Sequence, residues 1–376
     1  MPTTISRVFV ALALAAIAAG CNQNADAQSG GAPVAFKVGT FERSGQPFVG
    51  LVIKDTQVVD IGPANAAYES ANASAPKLTV PGDMKQLIAN YDTAWKGRLA
   101  AIAKDVSTSK TAPSYAYAVD TLKILPPVRP SVILNAGGNY VEHTEGIAAQ
   151  QQRAGAAPEQ ASQATSAPGI WERKPGDKRD NPYLFQKSPT VVTGAKDPIV
   201  MPRGRTNIDF ECEFDVVIGK KAKYVPSANA LDYIFGYTVQ IDVSDRGGRG
   251  DRKMGGSDWL IGKNHDTFGP LGPFIVPKEF VKAPMNIRHT FTLNGQVMQD
   301  SNTNRMSHNI FELLEYASNI LTLNPGDVIS GGSPAGTNIE RAEPRWMRAG
   351  DTATCAIDGI GTQTHPVVAE GPTSTQ

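Results

Sequence analysis

Acid and apolar residues alternate without a break through Asp209-Phe210-Glu211-Cys212-Glu213-Phe214-Asp215, and the run continues into Val216-Val217-Ile218. A β-strand sends successive side chains to opposite faces. The pattern therefore predicts a strand with the four acids on one face and Phe210, Cys212 and Phe214 on the other. Two readings of the acidic face stand side by side. One is a solvated surface strand; the other is a site where carboxylates two residues apart clasp a hard divalent cation, Mg²⁺, Mn²⁺ or Ca²⁺. A second strand-like run from Gly236 ends on Asp242, a further acid that would complete such a site.

The same reading extends along the chain. Short alternating strands are expected at 35–41, 48–53 and 57–61, and a helix over 82–104, where Met84, Leu87, Ile88, Trp95, Leu99 and Ile102 fall at three-and-four spacing. Together they make a small α+β unit over 34–125, followed by a stiff connector, Pro126 to Pro130. Val132-Ile133-Leu134 reads as a buried strand. Residues 147–180 lack a core pattern and read as a mobile insertion. From 183 to 368 strand-like runs dominate, with one helix near 308–321 that turns Ile310, Phe311, Leu314, Ala317 and Ile320 inward. The class is α+β and β-rich, with the larger domain over 126–370.

Composition narrows the partners. Across 376 residues Lys plus Arg and Asp plus Glu are equal at 36 each, so no net field attracts nucleic acid or an anionic membrane. Residues 1–21 read as an export signal: Arg7, then an apolar run from Val8 to Ala19 too short to span a bilayer. Its ending, Ala18-Ala19-Gly20-Cys21, resembles a bacterial lipobox, with plain secretion after Ala27 as the alternative. Residues 22–33 are then a tether, and the membrane is met only through a lipid on an envelope lipoprotein. Cys212 and Cys355 remain after processing; with Cys212 on an apolar face, a buried free thiol is expected and no bridge.

The chain from about Leu125 to Val368 resembles the fumarylacetoacetate hydrolase superfamily. The resemblance is carried by Pro182-Tyr-Leu-Phe185-Gln-Lys187, the acidic strand through Lys220, Gly236 to Arg246, Gly262 to Pro270, Thr303 to Met306, Pro325 to Ile329 and Gly332 to Gly336. It implies a mixed β-roll that pairs as homodimers. The metal falls on Glu211, Glu213 and Asp242, Mg²⁺ being first choice. Lys263 and Arg246 supply positive charge to an oxyanion or the substrate carboxylate, Ser333 a hydroxyl, and Tyr140 a further substrate contact.

In the family's base motif, Asn-Tyr-x-x-His-x-x-Glu, Asn139, Tyr140 and His143 match. The acid position holds Gly146, so Glu145 is the first choice of partner for His143 and Glu142 the second. Arg249 replaces a frequent glutamine and suggests a more anionic substrate or a different substrate pose. His265 is a packing or extra titrating group; His289, His308 and His365 are structural. Residues 140 to about 180 are expected to close as a lid.

The implied activity is metal-dependent cleavage of a C–C bond in a 2-oxo or acylpyruvate-like acid through a metal-bound enolate. Hydratase, isomerase or decarboxylase chemistry on the same site is the alternative, and a non-catalytic envelope receptor for a small oxo-acid the rival from another class.

Overall fold

The computed structural model describes residues 34–153, 155, 166–250 and 258–371. The export signal, lipobox and tether, and residues 154 and 156–165 of the insertion, lie outside the described residues.

The first strands form a meander. Lys37–Arg43 pairs antiparallel with Gln46–Ile53, and that strand with Gln57–Asp60. Ser44-Gly45 and Lys54-Asp55 take positive φ (51°, 77°, 52° and 57°), the geometry that tight hairpins require. Ala116–Ala118 and Lys123–Ile124 extend the two edges into a five-stranded sheet. The helix expected over 82–104 is divided: Met84–Ala89 and Lys96–Thr108 flank a π-turn, Tyr91–Trp95. Its apolar positions are all buried, none more than 3% exposed. A further helix, Ile61–Ala71, was not expected, because it carries no apolar stripe. Asp60 starts it by accepting the Gly62 amide at 3.0 Å.

A six-stranded central sheet carries the acids. Its order is Val276–Pro277, Ile234–Ile241, Cys212–Ile218, Val328–Ser330, Ile133–Ala136 and Leu184–Lys187. Every pairing is antiparallel except that of Val328–Ser330 with Ile133–Ala136. A second sheet, Gln296–Asn302, Arg288–Leu293, Thr352–Ile357, Gly361–Ala369 and Ile199–Met201, closes the roll. Val217, Phe235 and Val328 of the central sheet share a core with Leu51, Leu87 and Leu99 of the N-terminal elements.

The apolar face of the acidic strand meets this second sheet, and Phe210 stacks on Phe291 with ring centroids 4.3 Å apart. Contrary to the expectation of free thiols, Cys212 and Cys355 form a disulfide across the same seam, with Cα atoms 5.5 Å apart. Burial on an apolar face does not oppose a bridge when the facing sheet supplies the other cysteine at bonding distance.

Helix Ile310–Ile320 starts in a capping box between Asn309 and Glu312. Ile310, Leu314 and Ala317 point inward as expected, with Leu313 added. Phe311 is half-buried and Ile320, at the last position, is exposed. The described part of the insertion is tied down: helix Val141–Arg153 begins it, Trp171 is buried against His308, and Arg179 pairs with Glu312. Among the described residues no helix is long and apolar enough to cross a membrane.

Candidate metal centre

Cys212 pairs with Ile241 and Glu213 with Gln240, which sets Glu211 beside Asp242; the Asp242 amide donates to the Glu211 carbonyl at 2.9 Å. The resulting constellation is buried: Asp209 0%, Glu211 5%, Glu213 1%, Asp215 0% and Asp242 0% exposed. The solvated-strand reading is thereby overturned, because the six-stranded sheet places the acidic face inside the roll. Glu211, Glu213 and Asp242 each offer an oxygen, all within 4.8 Å of one another.

Buried cations face these acids. Lys263 Nζ donates to Glu211 Oε2 (2.6 Å), Asp242 Oδ2 (2.5 Å) and Ser244 Oγ (2.7 Å). Lys187 Nζ donates to Asp242 Oδ1 (2.5 Å) and to the carbonyls of Lys263 (2.7 Å) and Val243 (3.3 Å). Arg246 donates from Nη2 to Glu211 Oε1 (2.7 Å) and from Nε to Asp209 Oδ2 (3.2 Å). Asp209 also accepts the Asn338 amide at 3.0 Å, so it orients Arg246 and is not solvated. Lys187 was missed as a site residue although it ends one of the matching stretches. A lysine on an inward position of a buried strand was the available signal.

The acids divide electrostatically. Burial opposes ionisation of Glu211, but Lys263, Arg246 and His143 outweigh it and hold its carboxyl well below the usual range. Glu213 goes the other way: burial, then the charges of Asp242, Glu211 and Asp215, push it well above. Asn135 Nδ2 (2.7 Å) and Ser330 Oγ donate to its Oε2. Burial likewise raises Asp215, whose two oxygens find no hydrogen-bond partner among the described residues. An all-oxygen carboxylate set of this kind fits a hard divalent ion, whose charge would offset the mutual repulsion that raises Glu213.

His143 is buried on helix Val141–Arg153, and its Nδ1 contacts Glu340 Oε1. Glu340 is fixed in turn by Thr337 Oγ1 (2.8 Å) and the Gly336 amide (2.9 Å). Neither expected partner serves. Glu145 lies two residues on, about 200° round the helix, and is exposed; Glu142 is taken by Arg305 Nε at 2.6 Å. Gly146 explains the substitution: a Cβ there would lie 2.9 Å from Glu340 Cγ. A glutamate from a distant loop occupies the space that a side chain at 146 would need.

Of the other expected site residues, Tyr140 is fully buried, and its hydroxyl has no hydrogen-bond partner among the described residues. Burial, with Glu213 adding, raises it further. Ser333 is buried, but its Oγ donates to the Pro334 carbonyl (3.0 Å) and accepts from Gln299 Nε2 (2.9 Å), so no free hydroxyl is offered. Arg249 is exposed, its Nε 3.8 Å from Asp258 Oδ2. His265 contacts Asp245 at 3.1 Å, away from Lys263 Nζ and its acids. A cavity of about 390 Å³, lined by Val141, Thr144, Glu145 and Tyr183 among others, opens on the side of the helix that carries Glu145.

Residues 133–368 match the fumarylacetoacetate (FAA) hydrolase C-terminal family. Over 187 residues the chain is 41% identical to the mitochondrial oxaloacetate tautomerase fahd2 of Xenopus laevis, a match covering 50% of this chain and 58% of that protein. The chain thus spans little more than half the length of that relative. Among solved structures it is similar to a 5-carboxymethyl-2-hydroxymuconate delta-isomerase from Mycobacterium smegmatis (27% identity, TM-score 0.60, covering 89% of this chain and 100% of that one). The fold is shared too with a maleylpyruvate hydrolase from Sphingobium sp. SYK-6, solved with manganese(II) and pyruvate (24% identity, TM-score 0.61, covering 89% of this chain and 100% of that one). The chain belongs to the fumarylacetoacetate hydrolase family.

Proposed function

We propose that this chain is a divalent-metal-dependent enzyme that moves a proton between carbon and oxygen of a small 2-oxo acid, a keto–enol tautomerisation of the oxaloacetate type. The observation that carries it is the convergence of Glu211, Glu213 and Asp242 with a histidine held by Glu340. The named activity of a relative sharing half of the chain supports the substrate class. Mg²⁺ is the proposed ion. Held by those carboxylates, it would supply Lewis acidity to the 2-oxo group. Glu340 accepts a hydrogen bond from His143 Nδ1–H, which leaves Nε2 as the base for the carbon next to the carbonyl. Lys263 and Arg246 place positive charge where the enolate oxygen develops, and Tyr140 offers a buried hydroxyl to the same end.

C–C hydrolysis is the second reading, favoured by the same His143–Glu340 pair if it activates a water. Absorbance of the enol, followed alongside pyruvate release from oxaloacetate and acylpyruvates, separates the two. Tautomerisation consumes the enol of oxaloacetate without breaking a C–C bond, whereas hydrolysis of an acylpyruvate releases pyruvate and the acyl acid, and pyruvate from oxaloacetate would report decarboxylation instead. Chelation of the metal and Glu213→Gln should both abolish turnover; full activity in either condition would sink the assignment.

We further propose export, and a lipid on Cys21 that rests on residues 1–21 alone. The Cys212–Cys355 bridge supports an oxidising compartment. Equal membrane partitioning of wild type and Cys21→Ser would refute the lipid. Homodimerisation stays with the same set of proposals, and a monomer by light scattering would end it.

A further inference from the structure

Lysine has three N–H donors, and in this structure Lys263 has committed all of them within the site. Glu211 and Asp242, at 2.6 and 2.5 Å, take two, and Ser244 the third. The two carboxylates are themselves members of the cation site. No N–H remains for a substrate oxygen. Lys187 is built differently: two of its three contacts are backbone carbonyls, and Asp242 is the one acid among them. Beside Lys263 Nζ, the rings of Phe185 and Trp259 lie 4.8 and 5.8 Å away to their centroids. Those faces give a displaced ammonium a favourable place in a desolvated site.

We propose, on top of the metal assignment made above, that Lys263 is the resident counter-ion of the metal-free centre and competes with the divalent cation. Cation entry takes over Glu211 and Asp242, and the freed ammonium turns along the Phe185–Trp259 wall to the substrate oxygen. Metal therefore binds first and the oxo-acid second. The lysine protects the acids from mutual repulsion in the empty site and becomes a substrate group only in the loaded one.

Calorimetry with Mn²⁺ as probe tests the competition. Lys263→Gln, which keeps length and hydrogen bonding but removes the charge, should bind Mn²⁺ about 10- to 100-fold more tightly than wild type, as expected when one like charge near the ion is removed. Oxalate should bind the Mn²⁺-loaded variant more weakly than loaded wild type. Mn²⁺ affinity equal to or below that of wild type in a folded Lys263→Gln protein would overturn the proposal. Should the variant not fold, wild type alone decides: oxalate should raise its melting temperature only with Mn²⁺ present, and equal stabilisation without metal overturns the ordered scheme. If wild type binds no Mn²⁺ at all, the metal assignment itself has failed.

Discussion

The N-terminal sheet with its helices and the central sheet both bury their contents, but they treat charge in opposite ways. In the first, the buried cation Arg98 is matched on the spot, donating to Glu69 (3.2 Å), to the Pro76 carbonyl (2.7 Å) and to Asn65. Around it lie Leu51, Leu87, Trp95 and Leu99, a packed apolar core. In the second, Asp209, Glu211, Glu213, Asp215 and Asp242 are crowded with Lys187 and Lys263. Among the described residues, satisfaction is left incomplete at Asp215, the Tyr140 hydroxyl, Asn135 Oδ1 and Gln240 Nε2. An isolated buried polar group costs free energy and is ordinarily removed or paired. A region that keeps several together is not arranged for stability alone, whereas the N-terminal region is packed as an ordinary core.

The largest expected effect lies in the charged region. His143→Ala should lower kcat by about 10²- to 10⁴-fold, the usual contribution of a general base, with Mn²⁺ affinity unchanged. Glu340→Gln should lose a comparable factor, because Nδ1 would no longer be oriented, while Glu145→Gln stays near wild type. A large loss at Glu145 with none at Glu340 would reverse the assignment of the pair.

Next in size is a change in the apolar region. Leu99 is fully buried, and Leu99→Ala should cost about 2–5 kcal/mol of stability, read as a fall in melting temperature or denaturant midpoint. Mn²⁺ affinity and kcat of the folded fraction should not move if the two regions divide their tasks. A parallel loss of metal affinity would show that the core shared with Val217 and Val328 transmits strain to the acids, and the contrast would fail.

Local periodicity made the strands and the buried face of the 82–104 helix legible, because burial there follows side-chain spacing alone. The clustering of Glu211, Glu213 and Asp242 was legible for a similar reason: two of them share one strand face, and the third follows the neighbouring strand. What stayed hidden came from contacts distant in sequence. Glu340 reaches His143 across 197 positions, and no spacing rule near His143 could have found it. Gly146 was read as a missing acid, when its lack of a side chain is what admits Glu340. The Cys212–Cys355 bridge, 143 residues apart in sequence, depended on which sheet faces which. Ser333 and Arg249 were placed by motif position, but the Pro334 carbonyl and an exposed loop, respectively, decided their orientations.

The smallest effect sharpens the contrast from the second sheet, where His289 lies against Tyr140 with ring centroids 5.4 Å apart. It is 1% exposed, and neither ring nitrogen has a hydrogen-bond partner among the described residues. Burial pushes its pKa down to about 4, with Asp300 only partly opposing. Because the folded value lies below the unfolded one, near 6.5, the unfolded chain binds the extra proton between them. Stability from this group is therefore complete above about pH 6.5 and is lost as pH falls towards 4, by about 3 kcal/mol in all. Glu213 and Asp215, with folded values raised, contribute with the opposite sign, so the total profile of the metal-free protein understates the histidine. His289→Phe isolates it: denaturant midpoints at pH 7, 5.5 and 4.5 should fall less steeply in the variant than in wild type. Identical slopes would mean that the ring finds a proton acceptor on acidification, and that this corner of the site is as well satisfied as the N-terminal core.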